Sequence, residues 1–186
     1  MTVEQTMITA INPNDENFNP CAQLVESDEK INQFLESVKD QDTLSLILEN
    51  QLKLQLFLEQ REDWYMPSFD PNVPKTCGEI LDMLRYCKQH FDREFIELED
   101  ALGGMSNGVK NASAVAKPWK KDHLQYKNRP FNELSREDKL EVEFEVSDLT
   151  HFFAMMMVAV GMTSDRAKYL YTQKNLENFD RQRRGY

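Results

Sequence analysis

Apolar and polar positions recur along this chain at helical spacing. Leu44, Ile47, Leu48, Leu52, Leu54, Leu56, Phe57 and Leu58 predict a helix over 43–62. It is apolar around more than half its circumference, which predicts burial on two sides, the second against another subunit. Asn50, Gln51 and Gln55 interrupt it and read first as a mixed polar face. Thr76-x-x-Glu79 has the form of a capping box and opens a helix over 77–102, which Gly103-Gly104 stops. Its inner stripe runs Ile80, Met83, Leu84, Cys87, Phe91, Glu94, Leu98, Leu102, from apolar residues into acid. The longest apolar segment is Leu140–Val160, without Gly or Pro, capped by Ser135-Arg136-Glu137-Asp138 and closed by Gly161. A last helix over 164–181 carries Tyr171, Lys174, Asn178 and Arg181 on one polar, cationic face, which reads equally well as solvated surface. Ile31, Phe34, Leu35 and Val38 mark a short helix over 27–38.

The connections differ in kind. Pro67, Pro71 and Pro74 mark a loop over 63–74. The stretch 103–133, about thirty residues, is long for a compact domain, so a lid or a disordered connector is expected there. It holds Lys117-Pro118-Trp119-Lys120-Lys121, a basic and aromatic knot. The Asn-Pro pairs near the start predict a loose arm over 1–28, leaving 29–186 as one all-α domain.

Composition agrees with helices and narrows the partners. The chain has 186 residues with only 6 Gly and 7 Pro, too few turn formers for an all-β fold. Its 32 acidic residues outweigh 22 basic ones for a net charge of −10, so bare nucleic acid and anionic membranes are poor partners. A bound polyphosphate would need cations recruited to the acids. Cys21, Cys77 and Cys87 form no CxxC pair and are expected as reduced thiols, Cys87 as a core residue. With neither a signal peptide nor a membrane-length apolar run, a cytoplasmic protein is expected.

Two acid pairs carry the candidate chemistry. Glu94-x-x-Glu97 and Glu145-x-x-Asp148 each place two carboxylates on one side of a long helix. Glu145 and Asp148 share their stripe with Phe152, Met156 and Ala159, unless that stripe simply emerges into water at Glu145. If the helices pack antiparallel, four carboxylates meet in one space, as in carboxylate metal sites of helical bundles. Hard oxygen ligands favour Mg²⁺, or Mn²⁺, over zinc or iron. Lys174 and Arg181 would then meet phosphates, and Asn178 a sugar hydroxyl or the attacking water. His151 follows the pair and reads as a structural histidine heading into the core. Spacing alone leaves a non-catalytic helical interaction protein open.

The segments NQLKLQ (50–55), REFIELEDALGGMSNGVKNASAVAKPWKK (93–121), LEVEFEVSDLTHFF (140–153) and YTQKNLENFDRQRRGY (171–186) resemble the all-α dimeric dUTPase and nucleotide pyrophosphatase superfamily. Within it the chain is most similar to the dCTP pyrophosphatases (dCTPase-dUTPases) of T-even-type bacteriophages. The resemblance implies a homodimer that hydrolyses dCTP and dUTP, and the diphosphates too, supplying monophosphates and clearing dCTP during phage DNA synthesis. It implies Glu94, Glu97, Glu145 and Asp148 as Mg²⁺ ligands, with Glu94 preferred for orienting water. Gln51 falls on the family's base-reading glutamine, and its carboxamide can pair with uracil or cytosine by flipping. Trp119 and Lys120, with Lys117 and Lys121, match a loop that closes over substrate, and Tyr171, Lys174, Asn178 and Arg181 match substrate ligands. Gln55 stands where dimeric dUTPases carry Asn, which puts strict uracil selectivity in doubt and keeps a strict dUTPase or a MazG-like house-cleaning enzyme as alternatives.

Overall fold

The computed structural model describes residues 28–105, 108 and 110–185. The arm expected over 1–28 and Cys21 lie almost wholly outside that range. The chain divides into two compact units, Met1–Asp40 and Gln41–Tyr186. The first is described as one helix, α1 (Asp28–Ser37), with Ile31, Phe34 and Leu35 exposed. Helices and turns make up the rest, with no strand among the described residues, so the fold class is all-α.

In the second unit the order is α2 (Thr43–Leu58), α3 (Cys77–Ala101), a 3-10 turn (Ala112–Val115), α4 (His123–Lys127), a 3-10 turn (Phe131–Glu133), α5 (Arg136–Ala159) and α6 (Ser164–Arg183). Each long helix starts where a side chain satisfies its first free amides. Asp42, Thr76, Ser135 and Thr163 accept from the backbone N–H of Ser45, Glu79, Asp138 and Arg166. At Thr76 both halves of the capping box form.

α2 ends four residues before the apolar pattern predicts. Its C-cap residue, Glu59, turns its carboxylate onto the following loop, accepting from Ser68 Oγ at 2.7 Å and from the Phe69 amide. That loop feeds Phe69 into a core of Met83 and Cys87 from α3 and Met155 and Ala159 from α5. Cys87 is fully buried there, and burial pushes its thiol up to about 11, so it packs as an apolar residue, as expected. A second cluster joins Leu48 of α2 to Ala154 and Met157 of α5. The central layer is therefore α5, with α3 against one side and α2 against another.

α6 departs from α5 at 102° and has no buried residue. Its first turn is held against α2, where the Ser45 and Ser164 hydroxyls lie 2.6 Å apart and Ala167 joins the second cluster. No single helix is long and apolar enough to cross a membrane among the described residues.

The long connection 103–133 is more ordered than its sequence predicts. Ala112 and Ala114 are buried, and the 3-10 turn they form packs on both α3 and α4. Gly103 makes this possible, because a β-carbon there would stand 1.9 Å from the Ala112 carbonyl oxygen. Any side chain at Gly103 would displace that backbone.

Candidate active site

α3 and α5 make the most extensive helix contact in the chain, and that contact carries the acids. Carboxylate oxygens of Glu94, Glu97 and Glu145 lie within 4.8 Å of one another. Glu97 is exposed, Glu94 half-buried, and Glu145 only 6% exposed. The stripe thus does not surface at Glu145. It continues toward the start of α5 through Glu141, 6% exposed, and Asp138, 2% exposed. Asp148 is half-buried and stands outside the trio of close oxygens.

The electrostatics follow from that crowding. Burial first, then the charges of Glu97, Asp148, Glu141 and Glu94, push the Glu145 carboxyl up to about 7. Burial, then Glu97 and Asp148, raise Glu94. Burial also raises Asp148, with His151 pulling the other way and Glu141 adding to the rise. Glu145 Oε2 is buried without a hydrogen-bond partner. A buried, unpartnered carboxylate oxygen costs several kcal/mol unless a cation meets it. Three hard oxygens at this separation fit a small divalent cation of the Mg²⁺ kind.

A groove of about 360 Å³ opens between α2 and α5. Ile47, Asn50, Gln51 and Leu54 line one wall, and Ser147, Thr150 and His151 the other. Gln51 and Gln55 are 5% and 3% exposed, so these amides are interior groups and not the mixed surface face that their spacing first indicated. Ser147 and Thr150 donate to the carbonyls of Glu143 and Val146 on their own helix, leaving their oxygens as acceptors toward the groove. His151 is not a core histidine. Its side chain is 57% exposed, with Nδ1 3.7 Å from Asp148 Oδ1. It stands to the groove side of the stripe that Asp148 and Phe152 share.

The cationic candidates lie on other elements than the acids. Trp119 is 76% exposed and Lys120 and Lys121 are exposed at the tip of the long connection. Tyr171, Lys174 and Asn178 are exposed on α6, and Arg181 is half-buried with Nε 3.0 Å from Glu177 Oε1. Because α6 has α2 as its one substantial neighbour, this face is not packed on the α3–α5 acids within one chain. Glu141, Ser147 and Thr150 are residues near the acids or the groove that sequence reasoning did not single out. The 138, 141, 145, 148 spacing carried a signal for Glu141.

Two packed helices with facing carboxylates describe an all-α protein with a candidate metal-binding acidic cluster. Comparison with known proteins makes this specific. A dCTP pyrophosphatase of Enterobacteria phage LZ5 is 42% identical over 171 residues, 91% of this chain and 98% of that protein. A dCTP pyrophosphatase of Enterobacteria phage T4 is 37% identical over the same coverage of 91% and 98%. A protein of phage T4 described as a DNA replication protein is 36% identical over 160 residues, 85% of this chain but 40% of that longer protein. No protein-family model and no solved structure matches. The chain belongs to the bacteriophage dCTP pyrophosphatase family.

Proposed function

We propose that this chain, a nucleoside triphosphate pyrophosphatase by family, hydrolyses dCTP and dUTP to dCMP and dUMP with release of pyrophosphate. On the same reading it acts on dCDP and dUDP, and it requires Mg²⁺, for which Mn²⁺ can substitute. The observation that carries this is the meeting of Glu94, Glu97 and Glu145 around an unpartnered, buried Glu145 oxygen. Those three, with Asp148, hold the cation. A divalent cation held there would supply charge neutralisation for the phosphoryl oxygens and a lower pKa for the attacking water. Glu94, whose carboxyl burial and the charges of Glu97 and Asp148 push above its ordinary value, orients that water and accepts its proton. Gln51 reads the pyrimidine edge from the floor of the groove, with Gln55 behind it. Trp119 and Lys120 cover the nucleotide. Lys174 and Arg181 take phosphate, Asn178 and Tyr171 the sugar end.

The protein acts in the cytoplasm of the infected cell, removing dCTP and supplying monophosphates while phage DNA is made. The likeness to a DNA replication protein agrees with that setting. Its net charge of −10 argues against direct nucleic-acid binding.

Pyrophosphate release from each common ribo- and deoxyribonucleoside triphosphate, with and without Mg²⁺, tests the reading. Turnover confined to dCTP and dUTP, and dependent on Mg²⁺, is expected. Turnover of dUTP alone would make it a strict dUTPase, broad turnover a MazG-like enzyme, and none at all a non-catalytic helical protein.

A homodimer is part of the same proposal. Leu54 and Phe57 on α2, Val146 and Phe153 on α5, and Val160 at its C-cap are large apolar side chains left exposed by the single chain. Val146 and Phe153 stand seven residues apart on one face of α5, and Val160 follows at the same interval at its C-cap, as at a helix-packing seam. Sedimentation is expected to give twice the 21.9 kDa chain mass, and a monomer at micromolar concentration would remove this element.

A further inference from the structure

The connection between α3 and α5 is closed at its neck. Arg129, on the limb returning to α5, donates from Nη2 to the Leu102 carbonyl on the limb leaving α3, at 3.3 Å. Its guanidinium carbon lies 5.6 Å from the centre of the Tyr126 ring. Gly104 lies beneath it with φ +91°, and a β-carbon there would stand 3.3 Å from Arg129 Nη2 and 3.4 Å from Asp138 Oδ2. A guanidinium and a deeply buried carboxylate of α5 therefore flank one bare glycine. Gly104 serves this because its backbone is in the left-handed region and nothing larger than hydrogen fits comfortably. Two further ties cross the limbs, Asn111 Nδ2 to Asp122 Oδ2 at 3.2 Å and His123 Nδ1 with the Ala114 carbonyl at 2.7 Å. Beyond them project the exposed Trp119, Lys120 and Lys121.

We propose that Arg129 is a positioning residue that locks this neck and presents Trp119, Lys120 and Lys121 as a preformed arm for the anionic tail of the nucleotide. The proposal rests on the nucleotide reading given above for what the arm receives, though not for the lock itself. A locked arm binds with less ordering cost than a free one, so the lock strengthens substrate binding. It touches no reacting atom, so it leaves the chemical step alone.

Arg129→Gln separates these effects. Limited trypsin digestion of the ligand-free protein reads the lock directly, since Lys120 and Lys121 are cleavable and Lys117, preceding Pro118, is not. Loss of a charge-assisted hydrogen bond predicts cleavage there about tenfold faster, with Lys53 and Lys88 in the long helices as protected as before. Steady-state hydrolysis of dCTP predicts KM raised about tenfold with kcat within about twofold. Arg129→Lys, which keeps a charged donor, restores most of both. Unchanged cleavage at Lys120 and Lys121 overturns the lock, whatever the activity. Cleavage that rises equally at Lys53 and Lys88 also overturns it, because the change is then global unfolding. Faster tip cleavage with unchanged KM overturns the positioning role. Should Arg129→Gln fail to fold, Arg129→Lys and Tyr126→Leu carry the same two measurements at smaller amplitude. A wild-type protein that turns over no dCTP counts against the nucleotide reading, and the digestion pattern then decides for or against the lock by itself.

Discussion

Replacing Glu145 with Gln abolishes nucleotide hydrolysis and raises the melting temperature of the metal-free protein. The two effects have one origin. Glu145 is a 6%-exposed carboxylate with an unpartnered oxygen and four acidic side chains pressing on it. At about pH 8 it is ionised, and its repulsion with Glu94 and Glu97 weakens the folded state. Glutamine has nearly the same shape, carries no charge and offers an amide donor that those neighbours can accept. A gain of about 1–2 kcal/mol follows, or roughly 3–6 °C in a domain of this size. Removing one anionic ligand costs several kcal/mol of transition-state charge stabilisation, a fall in kcat of about 10³-fold. Thermal melting in EDTA and single-turnover kinetics on one preparation check both signs. A carboxylate with only a structural role would lose stability and keep turnover, and that pattern would sink the site.

Without metal, stability should rise as the pH is lowered from about 8 to about 5. The sign follows from linkage. The folded-state carboxyl of Glu145 titrates at about 7 against an ordinary value of 4.5, so between these values the native state holds the extra proton. Its cost is therefore fully present above about pH 7 and gone below about pH 4.5, and it is on the order of 3 kcal/mol if this group titrates alone. Glu94 and Asp148, also raised, add in the same direction. At still lower pH the trend reverses. Asp42, Asp63 and Glu79 have lowered values through hydrogen bonds from Ser45, Arg61 and Thr76, and the stability they give is lost as they protonate. Added Mg²⁺ should raise stability at about pH 8, by about 2.7 kcal/mol at a hundredfold excess over Kd, and do little at about pH 5. A melting temperature in EDTA that is flat between these pH values would mean the acids are solvated and uncoupled.

What the sequence disclosed was local or periodic. The starts of α3 and α5 were readable because capping is chemistry within four residues. The approach of Glu94 and Glu97 to Glu145 was readable because helical spacing fixes which side chains share a face. What failed depended on distant chain. Glu59 ends α2 early by serving amides beyond the helix, and no pattern within α2 encodes that. The connection 103–133 reads as featureless because its order comes from Ala112 resting on Gly103, where the sequence shows only a helix stop. Asp138 reads as cap chemistry alone, yet its side chain is buried at the junction of two limbs. His151 reads as a core residue because Phe152 and Met156 beside it are, but it faces the groove on α5.

The last helix has a further consequence. Twenty residues with no inward face, braced at one end only, make a segment of about 30 Å that water alone stabilises poorly. It also bears Lys174, Asn178 and Arg181. If a second copy supplies the surface on which that segment rests, phosphate capture becomes a property of the assembly, and specific activity falls when the protein is diluted toward single chains.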